Sequence, residues 1–134
     1  MNYALARQTL ATWIKEVADP FPLLTVFWDN TGTVDLSKVK DVCLLVEFYW
    51  DDAGQKTMES RPIHRTTGSV YLTVFAKVGK GSNPTLRLMD LLTTSLKYRA
   101  TTGMSTTVPR PGRRQTQDGW MSQELHLPFY FDSE

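Results

Sequence analysis

Cysteine is nearly missing from this chain: Cys43 is the only one in 134 residues, set in the apolar run Val42 to Val46. A lone thiol cannot close an intramolecular disulfide or build a zinc site of several cysteines, so the composition fits a reducing compartment. Histidine is almost as scarce, with His64 and His126 far apart and no second histidine at helical spacing. A metal site needs a converging ligand set, and the scattered carboxylates supply none. Charge of one sign is lacking too, since the formal net charge is +1, which predicts no global attraction to nucleic acid or membrane. Nor is there an apolar run near the roughly 20 residues of a membrane helix. Met1 to Ala4 lacks the basic start and continuous apolar stretch of a signal peptide, so the expected site of folding is the cytoplasm.

What is present is a folding composition, 41% hydrophobic and 22% charged, on a length that suits one domain over 1–134. Ala6, Leu10, Trp13, Ile14 and Val17 recur at helical spacing, and Asp19-Pro20 stops that helix. Leu23 to Trp28 reads as a short strand before the turn-prone Asp29 to Gly32. Val42 to Trp50 is apolar on both faces and predicts a central strand, broken at Asp51 to Gln55 by a polar loop that reaches Ser60. Ser69 to Lys77 alternates and predicts a third strand. Ser82 or Asn83 as N-cap and Pro84 at the first helical position open a second helix, with Leu88, Leu91, Leu92, Ser95 and Leu96 as its inner stripe.

Thr101 to Thr107 predicts a short strand or an extended arm, and the prolines of Val108 to Arg114 predict a loop. Met121 to Phe131 alternates as a last strand, in which Pro128 argues for an edge or a bulge. The expected class is α+β: a mixed or antiparallel sheet of about four to five strands with two main helices packed on it.

The search for chemistry returns no catalytic, cofactor-binding or metal-ligating set. Gly79-Lys80-Gly81-Ser82 lacks the spacing of a phosphate-binding loop and reads as a chain reversal, although helix amino termini attract anions. Cys43 could act as a nucleophile only if folding brought a histidine to it, so an enzyme built on Cys43, His64 and Glu47 is the remote alternative.

Two features suggest association instead. Between Asp90 and Asp118 lie Lys97, Arg99, Arg110, Arg113 and Arg114 with no acidic residue, while Asp118, Glu124, Asp132 and Glu134 follow with no lysine or arginine. If the two segments lie apart, the molecule is polarised in a way that steers protein association; otherwise they are a solvated loop and a mildly acidic tail. Phe27, Trp28, Phe48, Tyr49 and Trp50 crowd two strands, more aromatic surface than one small sheet readily hides. Trp28, Trp50 and Trp120 are the candidate interface aromatics.

In order and spacing the chain resembles the phage tail terminator family. The resemblance rests on the amino-terminal helix, on Arg65-Thr66-Thr67-Gly68 entering a strand, and on Gly79-Lys80-Gly81 turning into a helix. Gly119-Trp120, opening a last strand that ends near Pro128-Phe129, completes it. It implies a ring-forming, hexameric α+β protomer that caps the completed tail tube, ends its polymerisation and presents the surface joined to the head connector. The implied partners are further copies of itself, the tail tube protein and a connector or neck protein, with no cofactor and no membrane. The implied location is the head-proximal end of the virion tail, reached from the host cytoplasm.

Ring closure joins two different patches of each subunit, for which Lys97 to Arg114 and the acidic carboxy-terminal segment are the candidate pair. Arg110, Arg113 and Arg114 could instead line a lumen through which DNA passes. Another head–tail joining protein, of the neck or head-completion kind, is the nearer alternative.

Overall fold

A computed structural model describes residues 1–21, 24–29, 35–39, 42–79, 81 and 83–134. Helix α1 spans Tyr3–Ala18 and α2 spans Asn83–Leu96. The strands are β1 (Thr25–Trp28), β2 (Val42–Gln55), β3 (His64–Lys77), β4 (Ala100–Thr101), β5 (Met104–Thr106), β6 (Arg110–Gln117) and β7 (Trp120–Ser133), with a 3-10 turn at Leu36–Lys38.

The α1 stripe is the one its spacing predicts: Ala6, Leu10, Trp13, Ile14 and Val17 are all buried. The Asn2 side chain caps the helix by accepting from the Leu5 N–H at 2.8 Å, and the helix ends at Ala18. On α2 the buried stripe is Thr85, Leu88, Leu92 and Leu96, whereas Leu91 and Ser95 face water. The expected Ser82 N-cap, the Leu23 start of the first strand, most of the Asp29 to Gly32 turn and Lys80 lie outside the described residues.

The expected sheet of four to five strands is corrected. Among the described residues seven strands form one curled, half-barrel sheet, so that strand outweighs helix. Its order is β1-β2-β3-β7-β5-β4, with β6 also paired to β7. Only β1 and β2 run parallel.

Three local expectations change with it. The Asp51 to Gln55 break is the continuation of β2, paired with His64 to Thr67 beyond a register shift between Trp50 and Asp52. The proline segment expected as a loop enters β6, whose register shifts between Pro111 and Arg114, so the irregularity absorbs a missing donor at a sheet edge.

Pro128, expected at an edge or a bulge, lies in interior strand β7, opposite Ser69 of β3 in an unbroken register. Its carbonyl accepts from the Thr107 N–H at 3.0 Å, so its nitrogen points to that same side. There the β6 pairing stops at His126 and the β5 pairing starts at Phe129, so the missing N–H falls in the gap between them.

Both helices cover the same face of the sheet. Leu44 and Val46 of β2, Val70, Leu72 and Val74 of β3, and Leu125, Leu127, Phe129 and Phe131 of β7 form one core with α1 and α2. The alternate side chains of those strands point to the other face, over which no described α-helix lies; the 3-10 turn at Leu36–Lys38 reaches it through Leu36, and Cys43 there is fully buried.

Candidate interaction surface

Strand register sets out the uncovered face in rows. Glu47, Tyr71, His126 and Arg110 are successive partners across β2, β3, β7 and β6. The next row holds Leu45, Thr73 and Glu124, and the one after it Cys43, Phe75, Ser122 and Gln115. The curl of the sheet turns these rows into a trough of about 450 Å³, walled by Leu45, Glu47, Thr73 and Phe75 on one side, by Gln115, Gln117, Asp118, Trp120, Ser122 and Glu124 on the other, and by Leu36 of the 3-10 turn.

Aromatic stacking stiffens one end of this face. The Tyr71 and His126 rings lie parallel at 3.9 Å, and Tyr49 leans on Tyr71 at 4.5 Å. His126 Nε2 lies 3.0 Å from Glu124 Oε2, and the Tyr49 hydroxyl donates to Glu47 at 3.1 Å. Burial, reinforced by the Glu47 carboxylate, pushes the Tyr49 hydroxyl above the ordinary phenol range.

The charged residues singled out in the sequence distribute unevenly over the molecule. The basic and acidic segments do not lie apart, because β6 and β7 form a hairpin that turns at Asp118-Gly119, both at positive φ (52° and 79°). Arg99 donates to Glu16 at 2.6 Å and stacks over Trp13, so it is occupied within the chain. Asp132 is occupied as well, accepting from Arg65 at 2.9 and 3.2 Å and from Lys56 at 3.0 Å. The Arg65 and Lys56 hydrogen bonds hold its carboxyl at about 2 against the usual 3.8.

Lys97, Arg110, Arg113 and Arg114 are exposed and meet no carboxylate through their side chains among the described residues. The Arg113 backbone N–H reaches Glu124 at 3.4 Å, and Arg114 Nη2 lies 3.3 Å from the Met121 sulfur. Trp28 is half-buried against the core. Trp50 is 39% exposed and meets Tyr3 and Phe129 edge-on, while Trp120 lies on the trough side with Lys77 Nζ 5.8 Å from its ring.

The three residues of the remote enzyme reading do not converge. Cys43 pairs with Phe75 and His64 with Gln55, so they stand at opposite ends of one strand pair, on the order of 35 Å apart. Cys43 is fully buried, and burial pushes its thiol up to about 12, far from thiolate chemistry. Among the described residues no group of three or more His, Cys, Asp or Glu side chains could hold a metal ion, and no helix is long and apolar enough to cross a membrane.

Sequence reasoning did not connect Glu47, Thr73 and Gln115 with Asp118 and Glu124. The signal that could have done so is the dipeptide Asp118-Gly119 between two extended runs, a hairpin signature that brings β6 over the β7 face.

No family model and no curated protein matches this chain. Among solved structures the chain is similar to one whose name states no activity, over 100% of this chain and 98% of that one, with a TM-score of 0.70 and 16% identity. That likeness speaks for the fold.

Proposed function

We propose that this chain is a structural subunit of a phage tail terminator, which assembles as a hexameric ring on the end of the completed tail tube, stops its growth and offers the surface that joins the head connector. The observation that carries the reading is the one-sided sheet. Both α-helices pack on one face, while the other keeps Leu45, Tyr49, Phe75 and Trp120 partly exposed, with the 3-10 turn at Leu36–Lys38 reaching it through Leu36 but no described α-helix over it. A face of that kind suits burial against another subunit better than permanent exposure.

The segments behind the family resemblance also meet in space, which supports a structural role for them. Gly68 pairs with Phe129 and Ser69 with Pro128, so the Arg65 to Gly68 run and the Pro128-Phe129 end of the last strand are neighbours in the sheet.

Tube extension in the presence of the purified protein, with light scattering across concentration and salt, tests the reading. A terminator halts extension at one per tube end and scatters as a hexamer, alone or on the tube. Binding to tailless heads with no effect on tube growth would transfer the assignment to a neck or head-completion protein. Charge reversal at Arg110, Arg113 and Arg114 then decides their role. Loss of the ring places them at a subunit contact, and an intact ring with impaired DNA passage places them at the lumen.

A further inference from the structure

We infer that the tip of the β2–β3 connection, Met58 flanked by Glu59 and Arg61, docks into the groove between α1 and β1 of a second copy of this chain. The inference rests on the ring reading above and names a contact that would close it.

The plug is an apolar side chain held out in water. Met58 is 95% exposed, more than any other large hydrophobic side chain among the described residues. The loop that carries it is braced from within. The Lys56 N–H donates to the Ile63 carbonyl at 2.7 Å, the Ile63 N–H to the Thr57 hydroxyl at 2.9 Å, and the Gln55 amide to the Thr57 carbonyl at 2.6 Å and to the Met58 sulfur at 3.9 Å. A turn fixed in this way offers methionine, an adaptable filler of apolar gaps, at little further ordering cost. Glu59 and Arg61 beside it are exposed and make no ion pair among the described residues.

The socket is a place where the core lies open at its side. β1 ends the sheet, and its neighbour Leu24, with Val26 and Trp28, packs only partly against the core. With α1 these side chains bound a groove of about 560 Å³. Arg7 at one end of it is already taken up by Asp29. Lys15 and Asp19, one helical turn apart on the rim, are exposed and meet no opposite charge among the described residues. An apolar floor rimmed by one cation and one anion matches an apolar tip flanked by one anion and one cation, which sets Glu59 against Lys15 and Arg61 against Asp19.

Tip and groove cannot meet within one copy. β1 lies beside Cys43 to Val46, whereas the loop leaves the sheet beyond Gln55, roughly 30 Å further along β2. Two distinct patches make a heterologous contact, the kind that closes rings.

A charge-swap series tests this by sedimentation equilibrium, or by the number of copies held on a tube end where the free protein is monomeric. Met58→Asp should weaken self-association by about tenfold or more. So should the plug reversal, Glu59→Lys with Arg61→Glu, and the socket reversal, Lys15→Glu with Asp19→Lys. Combining the two reversals in one chain should restore association to within about threefold of wild type. All five positions are exposed, and unchanged circular dichroism and thermal unfolding certify each variant.

Association that survives Met58→Asp and both reversals overturns the contact while leaving the ring reading intact. Weakening by only one of the two reversals, or a combination that fails to restore, overturns the pairing of this tip with this groove. A wild type that is monomeric at every concentration and on tail tubes overturns contact and ring together. A swap that behaves as expected in a protein that never caps tubes keeps the contact and removes the terminator function.

Discussion

Gly68 shows how closely single positions in this sheet are fitted. A methyl group built there would lie 2.5 Å from the Tyr49 carbonyl oxygen and 2.8 Å from Phe129 Cζ, where nothing but hydrogen fits. Both obstacles belong to neighbouring strands, so relief requires moving β2 or the Phe129 ring, itself only 2% exposed. Gly68→Ala should therefore cost about 1–3 kcal/mol by overpacking, read as a lower urea midpoint with an unchanged slope. An unchanged midpoint would mean that the ring moves aside freely. The sequence marked this glycine through its place in Arg65 to Gly68 without giving the reason, because the reason lies on two strands remote in the chain.

Elements differ in how far they could be read in advance. Helix α1 was legible residue by residue, since an amphipathic helix writes its buried face into its own spacing. The inner stripe of α2 was half misread: Leu91 and Ser95 fit a broad apolar arc, but the helix sits on the sheet through Leu88, Leu92 and Leu96. Strand β6 was illegible because Arg110 to Gln117 carries no apolar alternation. Its pairing depends on β7 and on the turn at Asp118-Gly119. The trough was hidden for the same reason, since its walls come from segments that only the hairpin brings together.

Where β2, β3 and β7 run out together, Asp132 is the clamp, joining β7 to Arg65 of β3 and to Lys56 just past β2. Its folded value of about 2 lies below the unfolded 3.8. The clamp therefore contributes fully above about pH 4, and its contribution is lost as pH falls through 2. With the Lys56 end open to solvent, the contribution near neutral pH is about 1–2 kcal/mol. Asp132→Asn should lower stability by that amount at about pH 6 and by nearly nothing at about pH 2, a difference that paired urea titrations would reveal. Equal losses at both pH values would assign the effect to packing rather than charge.

At the scale of the whole molecule, one core links both helices to β2, β3 and β7, and among the described residues no second cluster stands apart from it. Unfolding should accordingly be one cooperative transition, with tryptophan fluorescence and far-ultraviolet dichroism superimposing. Leu72→Ala, which empties a fully buried site in central β3, should shift that transition by about 2–5 kcal/mol without splitting it. Separate transitions from the two probes would divide the chain into independent units. The number of strands was not legible in the sequence, because short strands such as β4 and β5 exist only through their partners.

The position of β7 in the middle of the sheet also sets an order of events for the folding chain. β2 and β3 are joined by the short connection 56–63 and can pair early, but β3 receives its other neighbour only after residues 78–119 have been arranged. Until then the run Val70 to Ala76 presents an open hydrogen-bonding edge rich in β-formers, without a proline or a charge. Refolding yield should thus fall with protein concentration, as the waiting edge captures strands from other chains before β7 arrives.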